Sequence, residues 1–252
     1  QRKALVPHLL NLHEVYRALL SARGVRGAVD FETTETQIVC DESGRIEKIV
    51  PRTRNDAHKL IEEAMLAANV CSAEFIAHGK HAGLYRVHEG PTPEKLETLR
   101  QYLKVMGVAN QLGDTPRPGD FQDIAKATAD RPDAQQIHAM LLRSMQQAIY
   151  TPQNNGHFGL AFEAYTHFTS PIRRYPDLLV HRVIKAILLE RRYQLPALPT
   201  PGEAHAKLAK RLAARKPADK TQRTKPSAET LGWQAAGLHC SANERRADEA
   251  SR

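Results

Sequence analysis

Cysteine is scarce in this chain: Cys40, Cys71 and Cys240 are the only three in 252 residues, odd in number and far apart. No CxxC and no clustered Cys/His spacing occurs. That argues against a disulfide framework and a zinc site, and for a reducing compartment, with cytoplasm as the expectation. Long apolar runs are missing as well. Nothing approaches the roughly 18 apolar residues that a bilayer-spanning helix needs, and no signal-peptide pattern opens the sequence. No internal repeat is visible. Aromatic residues make up 6%, with one tryptophan, Trp233.

What the chain has in excess is positive charge. Lys and Arg number 36 against 28 Asp and Glu, a formal net charge of +8. A sequence pI of about 9.5 suits a polyanionic partner such as RNA, DNA or an acidic surface. Part of the excess lies in residues 195–226, rich in Pro, Ala, Lys and Arg, which read as a flexible basic insertion holding one helix at 202–215.

Periodicity gives a coarse map. Residues 9–22 read as a helix with Leu9, Leu12, Val15, Tyr16 and Leu19 on one side, closed by Arg23-Gly24. Strands follow at 28–31, 36–40 and 45–50, the last two joined by the turn Asp41-Glu42-Ser43-Gly44. Residues 56–77 form the longest helix, capped by Asp56. Its apolar stripe is Ala57, Leu60, Ile61, Ala64, Met65, Ala68 and Cys71; Glu62 and Glu63 lie beside it and Asn69 interrupts it as a capping or core amide. A short strand falls within 83–93, and helices are expected at 94–106, 120–128, 132–150 and 231–252. The fold class is α+β and helix-rich, with a mixed sheet and packed helices.

The most informative stretch is YTHFTSPIRRYPDLLVHR, residues 165–182. Ser170 suits an N-cap and Pro171 the first helical position, which places Arg173 and Arg174 in the first turn. Cations are disfavoured at that positive helix end unless an anion joins them, and guanidinium forks with free N–H groups suit phosphate. Asp177 is spaced to orient one arginine, and His181 follows a turn later on the same side. Tyr165, His167, Phe168 and Tyr175 interleave with the basic residues, as in nucleic-acid surfaces. The plainer reading is a solvated helix start with ordinary ion pairs.

Four segments in order, RNDAHKLIEEAMLAANV, LYRVHEGP, SMQQAIYTP and GHFGLAFEAYTHFTSPIRRYPDLLVHR, resemble the catalytic RNB domain of the ribonuclease II family, in its ribonuclease R branch. The resemblance covers nearly the whole chain apart from the basic insertion. It implies processive, metal-dependent 3′-to-5′ hydrolysis of single-stranded RNA to nucleoside 5′-monophosphates, by a protein that is a monomer at full length. By position in the motif, Arg173 matches the arginine that contacts the scissile phosphate. Phe31 resembles the aromatic on which bases stack, Glu62 (with Glu63 one register away) the acid that selects ribose, and Glu244 a late RNA-contacting acid. Ser170, Arg174 and Tyr175 join them as RNA-binding residues, with Asp177, His181 and Arg182 supporting.

The family holds Mg²⁺ with clustered aspartates. Here Asp120 and Asp123 come nearest, and Asp30, Asp41 and Asp56 are isolated, so no metal ligand is assigned. Because the chain starts at Gln1 and stops within a helical pattern, residues 1–252 are expected to be an incomplete RNB domain whose metal ligands lie upstream. The alternative is a non-catalytic RNA-binding relative; a generic helical interaction protein fits the four motifs less well.

Overall fold

A computed structural model of the chain describes residues 2–29, 35–52, 54–108, 112–196, 206, 208–210 and 227–250. In chain order the elements are α1 (Val6–Arg26), β1 (Glu35–Cys40), β2 (Ile46–Arg52), α2 (Asp56–His78), β3 (Tyr85–Val87), α3 (Pro93–Val105), α4 (Pro118–Ala127), α5 (Ala134–Ser144), β4 (Ile149–Thr151), α6 (Tyr175–Leu188) and α7 (Ala228–Ala250). This is the helix-rich α+β class. Among the described residues the strands form two separate antiparallel pairs, β1 with β2 and β3 with β4. The chain divides into two compact units, residues 1–66 with 93–144, and 67–92 with 145–252.

In the first unit α1 runs past Gly24 and stops at Gly27, in the left-handed conformation at φ 80°. A glycine inside a helix costs only about 1 kcal/mol, whereas Gly27 must supply a positive φ. A Cβ there would also lie 2.9 Å from Gly119 Cα. The face expected to bury does so only at Tyr16; Leu9 and Val15 are more than half exposed. The core comes instead from Leu96, Leu99 and Leu103 of α3, Phe121 and Ile124 of α4, and Ile137 and Leu141 of α5, all buried. Their i, i+3, i+4 spacing gives each helix one apolar stripe, and α5 packs against both α3 and α4.

The helix expected over 132–150 ends at Ser144, whose Oγ donates back to the Leu141 carbonyl at 2.7 Å. Ile149 and Tyr150 become strand β4, pairing with Val87 and Arg86. β-Branched and aromatic side chains favour that half-buried ladder over a further helical turn.

The second unit is built around Ile76, Leu84, Tyr150, Leu179, Val180, Val183, Trp233, Ala236 and Cys240. Full burial of each large aliphatic side chain contributes about 1.5–3 kcal/mol. α7 lies directly on β4: a Cβ on Gly237 would stand 2.4 Å from the Tyr150 carbonyl oxygen. The Tyr150 N–H donates to Ser241 Oγ at 2.9 Å.

Helix α2 buries a different face from the one its apolar residues suggest. Glu63, Leu66, Asn69, Ser72, Ala73 and Ile76 are buried, while Ile61, Ala64 and Cys71 are exposed. The reversal is stable because the polar members have partners. Arg23 donates to Glu63 at 2.6 Å, Asn69 donates to Tyr165, and Ser72 donates to the Ala68 carbonyl. Phe31 lies outside the described residues, and so does most of the 195–226 insertion, of which Ala206 and residues 208–210 are helical.

Candidate nucleic-acid interface

Pro176, not Pro171, sets the start of α6. The helix begins at Tyr175 with Arg174 as N-cap, so both arginines precede it. A helix starting at 171 would need a Pro176 N–H to reach the residue 172 carbonyl. Proline has no N–H, and its ring crowds the preceding turn; at the second helical position neither matters. Ser170 is therefore no side-chain cap. Its carbonyl accepts from the N–H groups of Arg173 at 3.3 Å and Arg174 at 3.0 Å, closing a tight turn.

Asp177 organises that turn. It is fully buried, and its Oδ1 accepts from the Ser170 N–H at 2.8 Å and from Arg174 Nη2 at 2.7 Å and Nε at 3.1 Å. As an acid in the first turn of α6 it also complements the positive helix end. Its partner among the two arginines is thus Arg174. Arg173 is exposed, and among the described residues its guanidinium has no ion pair or hydrogen bond. One guanidinium is fixed in place, and its neighbour is left to solvent beside a helix N-terminus.

The aromatic side chains of the loop serve mainly inside the protein, contrary to a set of base-stacking platforms. Tyr165 is buried and stacks on Phe162 with ring centroids 5.8 Å apart. Phe168 stacks on His181 at 4.1 Å, and the His181 Nε2–H donates to the Phe168 carbonyl at 2.9 Å. Tyr175 alone of the four named aromatics is exposed, at 38%. Burial, reinforced by the charges of Arg174 and Arg86, pushes His167 down to about 3 and keeps it neutral. Burial pushes the Tyr150 phenol well above its ordinary value. The two neutral groups share a hydrogen bond, Tyr150 Oη to His167 Nδ1 at 2.8 Å.

The remaining expected site residues are held in ion pairs or turned elsewhere. Glu244 accepts from Arg86 Nη1 at 2.7 Å, and that guanidinium also lies 4.6 Å over the Tyr150 ring. Arg182 donates to the Tyr193 hydroxyl at 3.4 Å. In the first unit Glu62, partly exposed, pairs with Arg54, while Glu63 pairs with Arg23 from a buried position.

A family model described as the RNB domain matches residues 1–190. The chain belongs to the RNB domain family. It is 46% identical over 252 residues to ribonuclease R of Vibrio cholerae, covering 99% of this chain and 28% of that protein. Against ribonuclease R of Escherichia coli the identity is 42%, covering all of this chain and 28% of that protein. Among solved structures, Mycoplasma genitalium RNase R in complex with ribose-methylated single-stranded RNA is 31% identical. It matches with a TM-score of 0.69 over 72% of this chain and 29% of the other. The chain thus spans less than a third of the relatives it matches.

Membership of the RNB family raises the question of a metal. Among the described residues no group of three or more His, Cys, Asp or Glu is placed to hold a cation. The described side chains therefore do not fit a divalent metal, and the chemistry they supply is that of cations and hydrogen-bond donors. Among the described residues no helix is long and apolar enough to cross a membrane. Periodicity did not single out Arg86, Tyr150 or Asn69, which hold Glu244, His167 and Tyr165 here. Their partners lie 96 to 158 residues away in sequence for Asn69 and Arg86, and the one visible signal was a lone amide on an apolar helix.

Proposed function

We propose that this chain is the RNA-gripping part of a ribonuclease R-like 3′-to-5′ exoribonuclease. Arg173 binds the scissile phosphate of single-stranded RNA in this reading. The observation that carries it is the division of labour at 170–177: Asp177 engages Arg174 and the turn, while Arg173 stays exposed and without a partner among the described residues. A guanidinium held beside a phosphate stabilises the charge that builds on the phosphoryl oxygens as water attacks. The family relatives support the reaction class, and the solved RNA complex of the Mycoplasma protein supports single-stranded RNA as the partner.

The finer parts of this reading are that hydrolysis is processive and metal-dependent and releases nucleoside 5′-monophosphates. The metal ligands are aspartates upstream of residue 1, and the full-length protein works as a monomer in the cytoplasm. Ser170, Arg174 and Tyr175 flank the phosphate, with Asp177, His181 and Arg182 behind them. Glu62 or Glu63, Glu244 and Phe31 contact ribose and bases. The test is degradation of a 5′-labelled single-stranded RNA with Mg²⁺ and with EDTA, by this chain and by the chain extended upstream. Stepwise shortening from the 3′ end by the extended protein alone is the expected result. RNA binding without degradation by either protein would overturn the exonuclease reading in favour of a non-catalytic relative.

A further inference from the structure

We propose that Asn69 is a positioning residue for Arg173, clamping the turn that carries it from the neighbouring helix. This rests on the reading of Arg173 as the phosphate contact. Asn69 is 3% exposed, on a face of α2 whose other neighbours include Ala73 and Ile76. Its Oδ1 accepts from the Phe168 backbone N–H at 2.9 Å, and its Nδ2 donates to the Tyr165 hydroxyl at 2.9 Å. Burying an amide is costly unless its hydrogen bonds are made, and here both go to the segment that leads into the arginines.

The clamp completes a set of anchors. Phe168 is held at its N–H by Asn69 and at its carbonyl by His181. Two residues on, the Ser170 N–H is held by Asp177, and the Ser170 carbonyl by the N–H groups of Arg173 and Arg174. Each anchor but one originates in the motif itself or in α6. Asn69 comes from a helix about a hundred residues earlier in sequence, and it ties the entrance of the turn to α2. Without it, the stretch from Phe168 to Arg173 is hydrogen-bonded only from α6 and within the turn, because the bonds from Arg86, Leu84 and Tyr150 lie further back, at Tyr165, Thr166 and His167. A guanidinium that must meet a phosphate with a bidentate geometry loses most from such loosening, because misplacement on the order of 1 Å is felt strongly in a catalytic contact.

The experiment is a double-mutant cycle on binding of a fluorescein-labelled single-stranded RNA 12-mer to the whole chain, read by anisotropy. The four proteins are native, Arg173→Ala, Asn69→Leu and the double variant, with Asn69→Asp as the conservative replacement. Asn69→Leu is expected to lower affinity about tenfold and Asn69→Asp less than threefold, since a carboxylate still accepts from Phe168 and from the Tyr165 hydroxyl. In the Arg173→Ala background Asn69→Leu should cost much less, because only the flanking contacts of the same turn remain to be loosened. Equal losses with and without Arg173, or no loss in Asn69→Leu, overturn the clamp. If Arg173→Ala itself leaves affinity unchanged, the reading of Arg173 fails, and that result is distinct from failure of the clamp. Should Asn69→Leu not fold, Asn69→Ser carries the same expectation, being too short to reach the Phe168 N–H.

Discussion

Arg23 in the first unit meets Glu63 at 2.6 Å, with the two side chains 11% and 5% exposed, and Arg54 meets Glu62 close by. In the second unit Arg174 meets the fully buried Asp177, yet the adjacent Arg173 stands exposed with no acid partner among the described residues. The same residue type therefore has two different uses. Pulling Arg23 or Arg174 towards a phosphate would strip a buried carboxylate of its partner, at a cost of about 3–5 kcal/mol. Arg173 gives up only water, and the counterions it displaces from a polyanion favour binding. Positive charge alone does not separate these arginines; whether a buried acid already holds the guanidinium does.

The strongest way to break this comparison is to remove the buried pairs. Arg23→Ala and Asp177→Ala should each cost about 3–5 kcal/mol of unfolding free energy, measured by urea titration. Their effects on RNA affinity should differ. Asp177→Ala releases Ser170 and Arg174 beside Arg173 and is expected to weaken RNA binding strongly, whereas Arg23→Ala disturbs only the acids Glu62 and Glu63 and should weaken it less. An equal or larger loss in Arg23→Ala at preserved fold would contradict the comparison.

Acid sharpens the contrast next. His157 and His167, both in the second unit, are pushed down to about 3, chiefly by burial. Their folded values lie below the ordinary value near 6.5, so the unfolded chain binds more protons below that pH. Their stabilising effect is complete above pH 6.5 and is lost as pH falls towards 3, by at most about 1.4 kcal/mol per pH unit for each histidine. Trp233, the only tryptophan, sits in the core of that unit. Urea unfolding followed by its fluorescence should weaken steadily from pH 7 to 5, and His167→Gln should flatten the slope. A pH-independent midpoint would contradict neutral burial. The smallest effect belongs to Glu62→Gln. Its pair with Arg54 is partly exposed, so the change in stability should stay under about 1 kcal/mol.

Much of the fold was legible where one local signal acted alone. The Asp41–Gly44 turn, α2 from Asp56, and α3 follow directly from turn chemistry, capping and periodicity. Four features were not, the first being the stripe of α1, of which only Tyr16 is buried. The apolar stripe of α2 pointed to the wrong face because Glu63 and Asn69 are buried by partners distant in sequence, which no local pattern contains. The start of α6 is ambiguous in the sequence because Pro171 and Pro176, five residues apart, both suit a helix N-terminus. Only the i, i−4 bond that Pro176 cannot donate distinguishes them. The end of α5 was overrun because Ile149 and Tyr150 fit a helical stripe as well as a strand. At the site, the motif singled out Arg173, Arg174 and Asp177 together. Which arginine Asp177 would hold was open in the spacing and is settled by the geometry.

The measurement that tests the central claim most directly is the salt dependence of single-stranded RNA binding by the native chain and by Arg173→Ala. Each phosphate contact on a single strand contributes about −0.7 to the slope of log affinity against log salt. The account predicts at least tenfold weaker binding at 0.1 M salt for Arg173→Ala, a slope shallower by about 0.7, and an unchanged urea midpoint. Equal affinity and equal slope in the two proteins would contradict it.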